Sequence, residues 1–312
     1  MQATGDGFVD RFTGCLLGMA IGDALGVAGT SLKSGPTTPD YRARLAGDGS
    51  IEVPAGQFSL NTDLAFCLLE TLATSNGFVD PELTIHRFEN AMCQPDLYLA
   101  EEREGRAVVH AVESEEYQSG GDAPSTGYAG PAVRAVSLGM VHSLSDMNIA
   151  LITREVIRSV LLTDGNPLVV NAALAVAHAV RLILREDAPL EIVIDEVLSL
   201  IDEDDVARAL RSGMPDGPPE DAASVVAAAL HATAEGRGDF EAAIRTVNDL
   251  GGVTHLTGAI AGALCGAYRG ASALRPDLVE GLEGRAYVLM AAPALLRTAQ
   301  MRAGVLFQLR IR

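Results

Sequence analysis

The sequence predicts an all-α fold, and three observations predict it. Apolar residues recur at helical spacing along most of the 312 residues, no segment alternates convincingly as a strand, and glycines step by four along two stretches. The first stretch, RFTGCLLGMAIGDALG, puts Gly14, Gly18, Gly22 and Gly26 on one helical face with Asp23 just beside them. The second, GAIAGALCGAYRG, does the same with Gly258, Gly262, Gly266 and Gly270. A glycine costs a helix about 1 kcal/mol against alanine, so four on one stripe imply a very close neighbour. Two such helices from opposite ends of the chain are expected to meet as a central pair. The spacing fits close packing as well as it fits support for a site.

The elements follow in order. Residues 8–27 read as the first helix, and a Gly/Pro/Ser/Thr-rich loop covers 30–58, a length typical of lids or binding segments. Leu64, Leu68, Leu69 and Leu72 give 61–73 a helical apolar face. Asp80-Pro81 suits an N-cap and a first-turn proline for a helix over 81–93. A polar helix over 97–117 runs into a flexible stretch, 118–127, before helices over 129–142 and 144–162. Pro167 and Pro189 open helices to about 184 and 201; the LEIVIDEVL run could alternate as a strand but fits a helical face better. After a turn-rich loop at 213–221 come helices over 222–235 and 239–250, then the second glycine stretch. Pro276 and Pro293 punctuate the last helical segments, and 302–312 is expected to fray. No linker divides the chain, so one domain over 1–312 is expected.

Composition narrows the function classes. With 23 basic and 41 acidic residues the formal charge is −18, which repels nucleic-acid backbones and anionic membranes and argues against both as partners. A phosphorylated small ligand stays open, because helix N-termini bind phosphate locally. The four cysteines, at 15, 67, 93 and 265, form no CxxC pair and no zinc pattern, a usage that fits a reduced, cytoplasmic protein. The N-terminus lacks the pattern of a signal peptide, and no apolar segment reads as long and charge-free enough to span a bilayer.

The glycine stretches, with GLEGR at 281–285 and weaker echoes in GPAVRAVSLG (130–139) and TDGNPLVVNAALAVAHAV (163–180), resemble the ADP-ribosylglycohydrolase family. The resemblance covers nearly the whole chain. It implies a single orthogonal helical bundle and an enzyme that uses a pair of magnesium ions to cleave ADP-ribose from its acceptor. In that family the metal ligands come from a Thr-Asp-Asp-Thr run and an Asp-x-Asp-Thr run after a Gly-Gly pair, and a glutamate after the N-terminal GDALG is associated with catalysis in some members.

Here the first run falls on Ser59, Leu60, Asn61 and Thr62, in a register set by Phe58 before it and by Leu68, Glu70 and Leu72 after it. The second falls on Val253, Thr254, His255 and Leu256 after Gly251-Gly252, and Thr30 stands where the glutamate would be. Five carboxylate positions are vacant together, on three separate stretches. Leucine ligates nothing, and asparagine offers a neutral carbonyl where hard cations want charged oxygens. Both magnesium ions are therefore expected to be absent, with no metal site in their place. Asp63 could serve only by slipping the register.

His255 is the candidate catalytic residue, an acid or base working with Asp23 or Asn61; the plainer reading is a hydrogen-bonded residue near a helix start. Ser59, Asn61, Thr62 and Thr254 are candidate ligand contacts, as is Asp23, which could equally be a buried structural acid. Gly130, Ala132 and Arg134 occupy the segment that resembles the family's ADP-ribose cleft turn, with Ala129 where the family has asparagine. Arg134 could instead pair with an acidic surface helix, and Asp164 and Asn166 could cap the Pro167 helix. The leading expectation is a pseudoenzyme that binds ADP-ribose or a related nucleotide sugar. The alternatives are a metal-independent hydrolase or lyase on a related glycoside, and a structural module that engages a protein partner or its own copy.

Overall fold

A computed structural model describes residues 5–29, 40–45, 47–93, 102–114, 125–145, 148–186 and 188–304. The fold is all-α, as the periodicity predicts. Its helices are α1 (Gly5–Gly29), α2 (Leu60–Thr74), α3 (Pro81–Met92), α4 (Glu102–Ser114), α5 (Gly130–Val141), α6 (Ile149–Val160) and α7 (Pro167–Glu186). There follow α8 (Leu190–Leu198), α9 (Asp205–Ser212), α10 (Ala222–Glu235), α11 (Phe240–Leu250), α12 (Thr254–Arg269), α13 (Pro276–Gly281) and α14 (Arg285–Arg302). Asp80, Asn148, Asp204, Asp221 and Asp239 each cap a helix start through a side-chain oxygen, so polar punctuation fixes the boundaries.

Two sequence expectations are corrected here. The predicted loop at 30–58 contains a small antiparallel hairpin, β1 (Arg44–Leu45) with β2 (Ile51–Val53), turned at Gly47–Gly49. Its strands are too short to show a period in the sequence, and only Val53 of β2 is buried. The other concerns the bilayer. Residues Pro167–Arg185 of α7 are long and apolar enough to cross a membrane by length and composition, with a mean hydropathy of 1.8, but 83% of the stretch is buried inside the fold. Packing against α5, α6, α10 and α12 accounts for its apolarity. Helix α9 lies in a stretch the sequence reading did not assign. Thr30 and residues 305–312 lie outside the described residues.

The central pair is α1 against α12, in contact along their lengths. The glycines interleave as predicted: Gly14 faces Gly266, Gly18 faces Gly262 and Gly22 faces Gly258, each so close that an added Cβ would collide with main-chain atoms opposite. Gly26, the last of the stripe, abuts the main chain of Thr254 and His255. Glycine is required on both faces because backbone meets backbone there.

Candidate functional site

Helix starts converge on the C-terminal half of α1. Asp23 is wholly buried and accepts three hydrogen bonds: from the Ser59 main-chain N (3.1 Å), from Ser59 Oγ (2.8 Å) and from Thr62 Oγ1 (2.6 Å). Ser59 is the N-cap of α2, and its Oγ also accepts from the Asn61 main-chain N. Burial pushes the Asp23 carboxyl above its ordinary range, while the nearby His255 and the Thr62 and Ser59 hydrogen bonds pull it back.

The two central residues of the first run lie inside. Leu60 is fully buried in a small apolar cluster with Leu64, Ile85, Phe88 and Val108. Asn61 is also fully buried; its Nδ2 donates to Ser59 Oγ at 3.3 Å, and its Oδ1 has no hydrogen-bond partner among the described residues. Asp63, one residue past Thr62, is half-buried. Burial, with a smaller contribution from Asp23, pushes its carboxyl up to about 7.

The second run lies at the start of α12. Gly251 and Gly252 both hold positive φ, and Gly252 presses so closely on Pro219 that a Cβ would clash with it. The Val253 main-chain N donates to Pro219 O, and Thr254 Oγ1 ties the helix start to Gly26 O at 2.7 Å. His255 is 5% exposed, and its Nε2 lies 3.2 Å from the hydroxyl of Tyr128.

Tyr128 belongs to the strap that enters α5. Gly127 O accepts from the Ala222 main-chain N at the start of α10, and Thr126 donates through its N and Oγ1 to Asp164, just before α7. Asp164 also accepts from the Asn166 N, and Asn166 Oδ1 from the Leu168 N, so this pair shapes the start of α7. The N-termini of α2, α5, α7, α10 and α12 therefore gather around one locus. The partial positive charge that helix starts carry suits an anionic ligand.

The structure thus brings Asp23, Ser59, Asn61, Thr62, Thr254 and His255 together. Gly130 and Ala132 are buried in the first turn of α5, beside Tyr128. Arg134 points inward: it is fully buried, Nη2 donates to Thr163 Oγ1 at 2.6 Å, and the guanidinium sits 5.3 Å from the centre of the Phe88 ring. Arg134 is therefore not a surface residue: its side chain joins the core wall that α3, α5 and residue 163 share. Tyr128 was not singled out by the sequence, and Asp63 was weighed only as a ligand in a slipped register. Among the described residues, no group of three or more His, Cys, Asp or Glu side chains could hold a metal ion.

The ADP-ribosylglycohydrolase family model matches residues 4–304. Over 70 residues the chain is 36% identical to the ADP-ribosylarginine hydrolase Tri1 of Pseudomonas putida (strain GB-1), a match covering 22% of this chain and 18% of that protein. The aligned stretch is thus under a fifth of that relative's length. Among solved structures, an ADP-ribosylglycohydrolase-related protein complex is similar over 94% of this chain and 99% of its own, at 29% identity and a TM-score of 0.75.

Proposed function

The chain belongs to the ADP-ribosylglycohydrolase family, and from that premise we propose that it binds ADP-ribose or a related nucleotide sugar without the family's two-magnesium hydrolysis. One observation carries the reading. Asp23, the carboxylate at the heart of the site, is committed to Ser59 and Thr62, while Leu60 is part of the apolar core.

Two hard cations side by side require several charged oxygens. The residues present do not fit that requirement: Asn61 supplies one neutral carbonyl, and His255 Nε2 already meets Tyr128. The convergent helix starts remain, and these suit a diphosphate irrespective of a metal.

Paired calorimetric titrations test the proposal. ADP-ribose should bind with the same affinity in magnesium and in EDTA, and magnesium alone should give no heat. Tight binding of magnesium in pairs, or magnesium-dependent release of ADP-ribose from an ADP-ribosyl-arginine substrate, would sink it.

Asp63 favours a second reading, metal-independent cleavage of a related glycoside. A half-buried carboxyl pushed up to about 7 holds its proton in the range that suits general acid–base work. On this reading Asp63→Asn abolishes a slow, EDTA-resistant turnover; wild-type protein with no such turnover removes it.

A further inference from the structure

Tyr128 is placed more tightly than a loop residue needs to be. It is 3% exposed, its main-chain N donates to Thr126 Oγ1 at 3.1 Å, and Thr126 is itself anchored on Asp164. The preceding carbonyl, Gly127 O, is taken by Ala222 N. The strap is therefore held from two helix starts, and it delivers one phenol hydroxyl to one imidazole nitrogen.

His255 is held from the opposite side. Gly26 lets the α12 main chain come so close to α1 that a Cβ there would strike the His255 Cα, and Thr254 Oγ1 fixes the same turn to Gly26 O. The charge of Asp23 bears on the imidazole. A buried phenol and a buried imidazole both need hydrogen-bond partners, and each supplies the other's here.

We infer that Tyr128 is a positioning residue of this site: its hydroxyl donates to His255 Nε2 and fixes the ring as the tautomer protonated at Nδ1. Tyr128 and His255 then form one polar series near Asp23, in the corner where the family's second aspartate run would lie. An O–H donor at Nε2 leaves the ring proton on Nδ1. The series presents a bound nucleotide sugar with an oriented imidazole instead of a cation. This rests on the proposed reading that the ligand binds without magnesium.

The test is Tyr128→Phe, which keeps the ring and removes only the hydroxyl. Nitrogen-15 NMR of the imidazoles, assigned with His255→Gln, should show His255 in one tautomer in the wild type and in a mixture in Tyr128→Phe. ADP-ribose affinity should fall about tenfold, with the thermal midpoint nearly unchanged. Identical His255 signals in the two proteins would overturn the inference, as would a wild-type ring protonated at Nε2. Should wild-type protein fail to bind ADP-ribose, the functional reading falls, and the imidazole signals still decide the role of Tyr128.

Discussion

Gly18→Ala is expected to destabilise the protein even though alanine is the better helix former. A Cβ at Gly18 would sit 2.8 Å from the Gly262 carbonyl carbon and closer still to its oxygen, whereas ordinary contact begins at 3.4 Å. The obstruction is main chain on a buried helix, so no side chain can swing aside. Helices α1 and α12 would have to part by about half an ångström or more, loosening the glycine contacts on either side. Overpacking of this kind costs about 1–3 kcal/mol and occasionally more, and the separation also opens voids along the pair. The gain in helix propensity returns about 1 kcal/mol at most. The net loss should be about 2 kcal/mol, read as a lower urea midpoint at unchanged slope. Gly7→Ala is the control, since nothing lies within 4 Å of a Cβ there; it should be neutral or slightly stabilising. Equal stability of Gly18→Ala and wild type would refute the claim that the stripe exists for close approach.

Three further outcomes follow from buried polar groups. Burial, with the nearby arginines, depresses His142 to about 3 and His178 to about 4, below the ordinary value near 6.5. Their contribution is complete above about pH 6.5 and is lost as pH falls toward 4 and 3, because the unfolded chain takes up protons that the folded one refuses. His178→Leu should flatten the fall in thermal midpoint between pH 7 and pH 5; an unchanged fall counts against the assignment. Asp63 acts with the opposite sign, its raised carboxyl stabilising below about pH 4 and less so as pH rises through 7. Asp63→Asn should remove that loss, which melting curves across pH 4–8 can check. Asp23→Asn leaves Ser59 and Thr62 facing an amide that cannot accept all three hydrogen bonds. A loss of at least about 2 kcal/mol is expected by denaturant titration, and a neutral result would mean the network is dispensable.

Much of this was legible because it rests on local chemistry. The glycine steps specified the central pair, and Asp80-Pro81 specified the start of α3. The register of the first run rested on Phe58 and Glu70, and both sit in specific surroundings: Phe58 packs edge-on to Phe66 at 5.7 Å, and Glu70 accepts from Tyr287 and Arg87. What stayed hidden depends on partners distant in sequence. Tyr128 stands at the edge of a polar strap whose course is set by Ala222 and Asp164, and nothing beside it in the sequence announces His255. The fate of Arg134 was hidden for the same reason, since composition favours a surface ion pair and only the fold places Thr163 and Phe88 around it.

The clasp between α1 and α12 also sets a timetable. Thr254 and Gly26 are 228 residues apart in sequence, so α1 leaves the ribosome long before its partner exists. At about 5–20 residues per second, that wait is roughly ten to forty-five seconds. Throughout it, the glycine groove of α1 and the Asp23 carboxyl have no α12 to cover them. The site therefore comes into being only when more than about four-fifths of the chain has been made, since α12 begins at Thr254 of 312 residues, and a nascent or truncated chain ending before α12 carries half of it. Slow, non-local closure is the expected signature of such an arrangement, with assembly of the site and completion of the core arriving as one event.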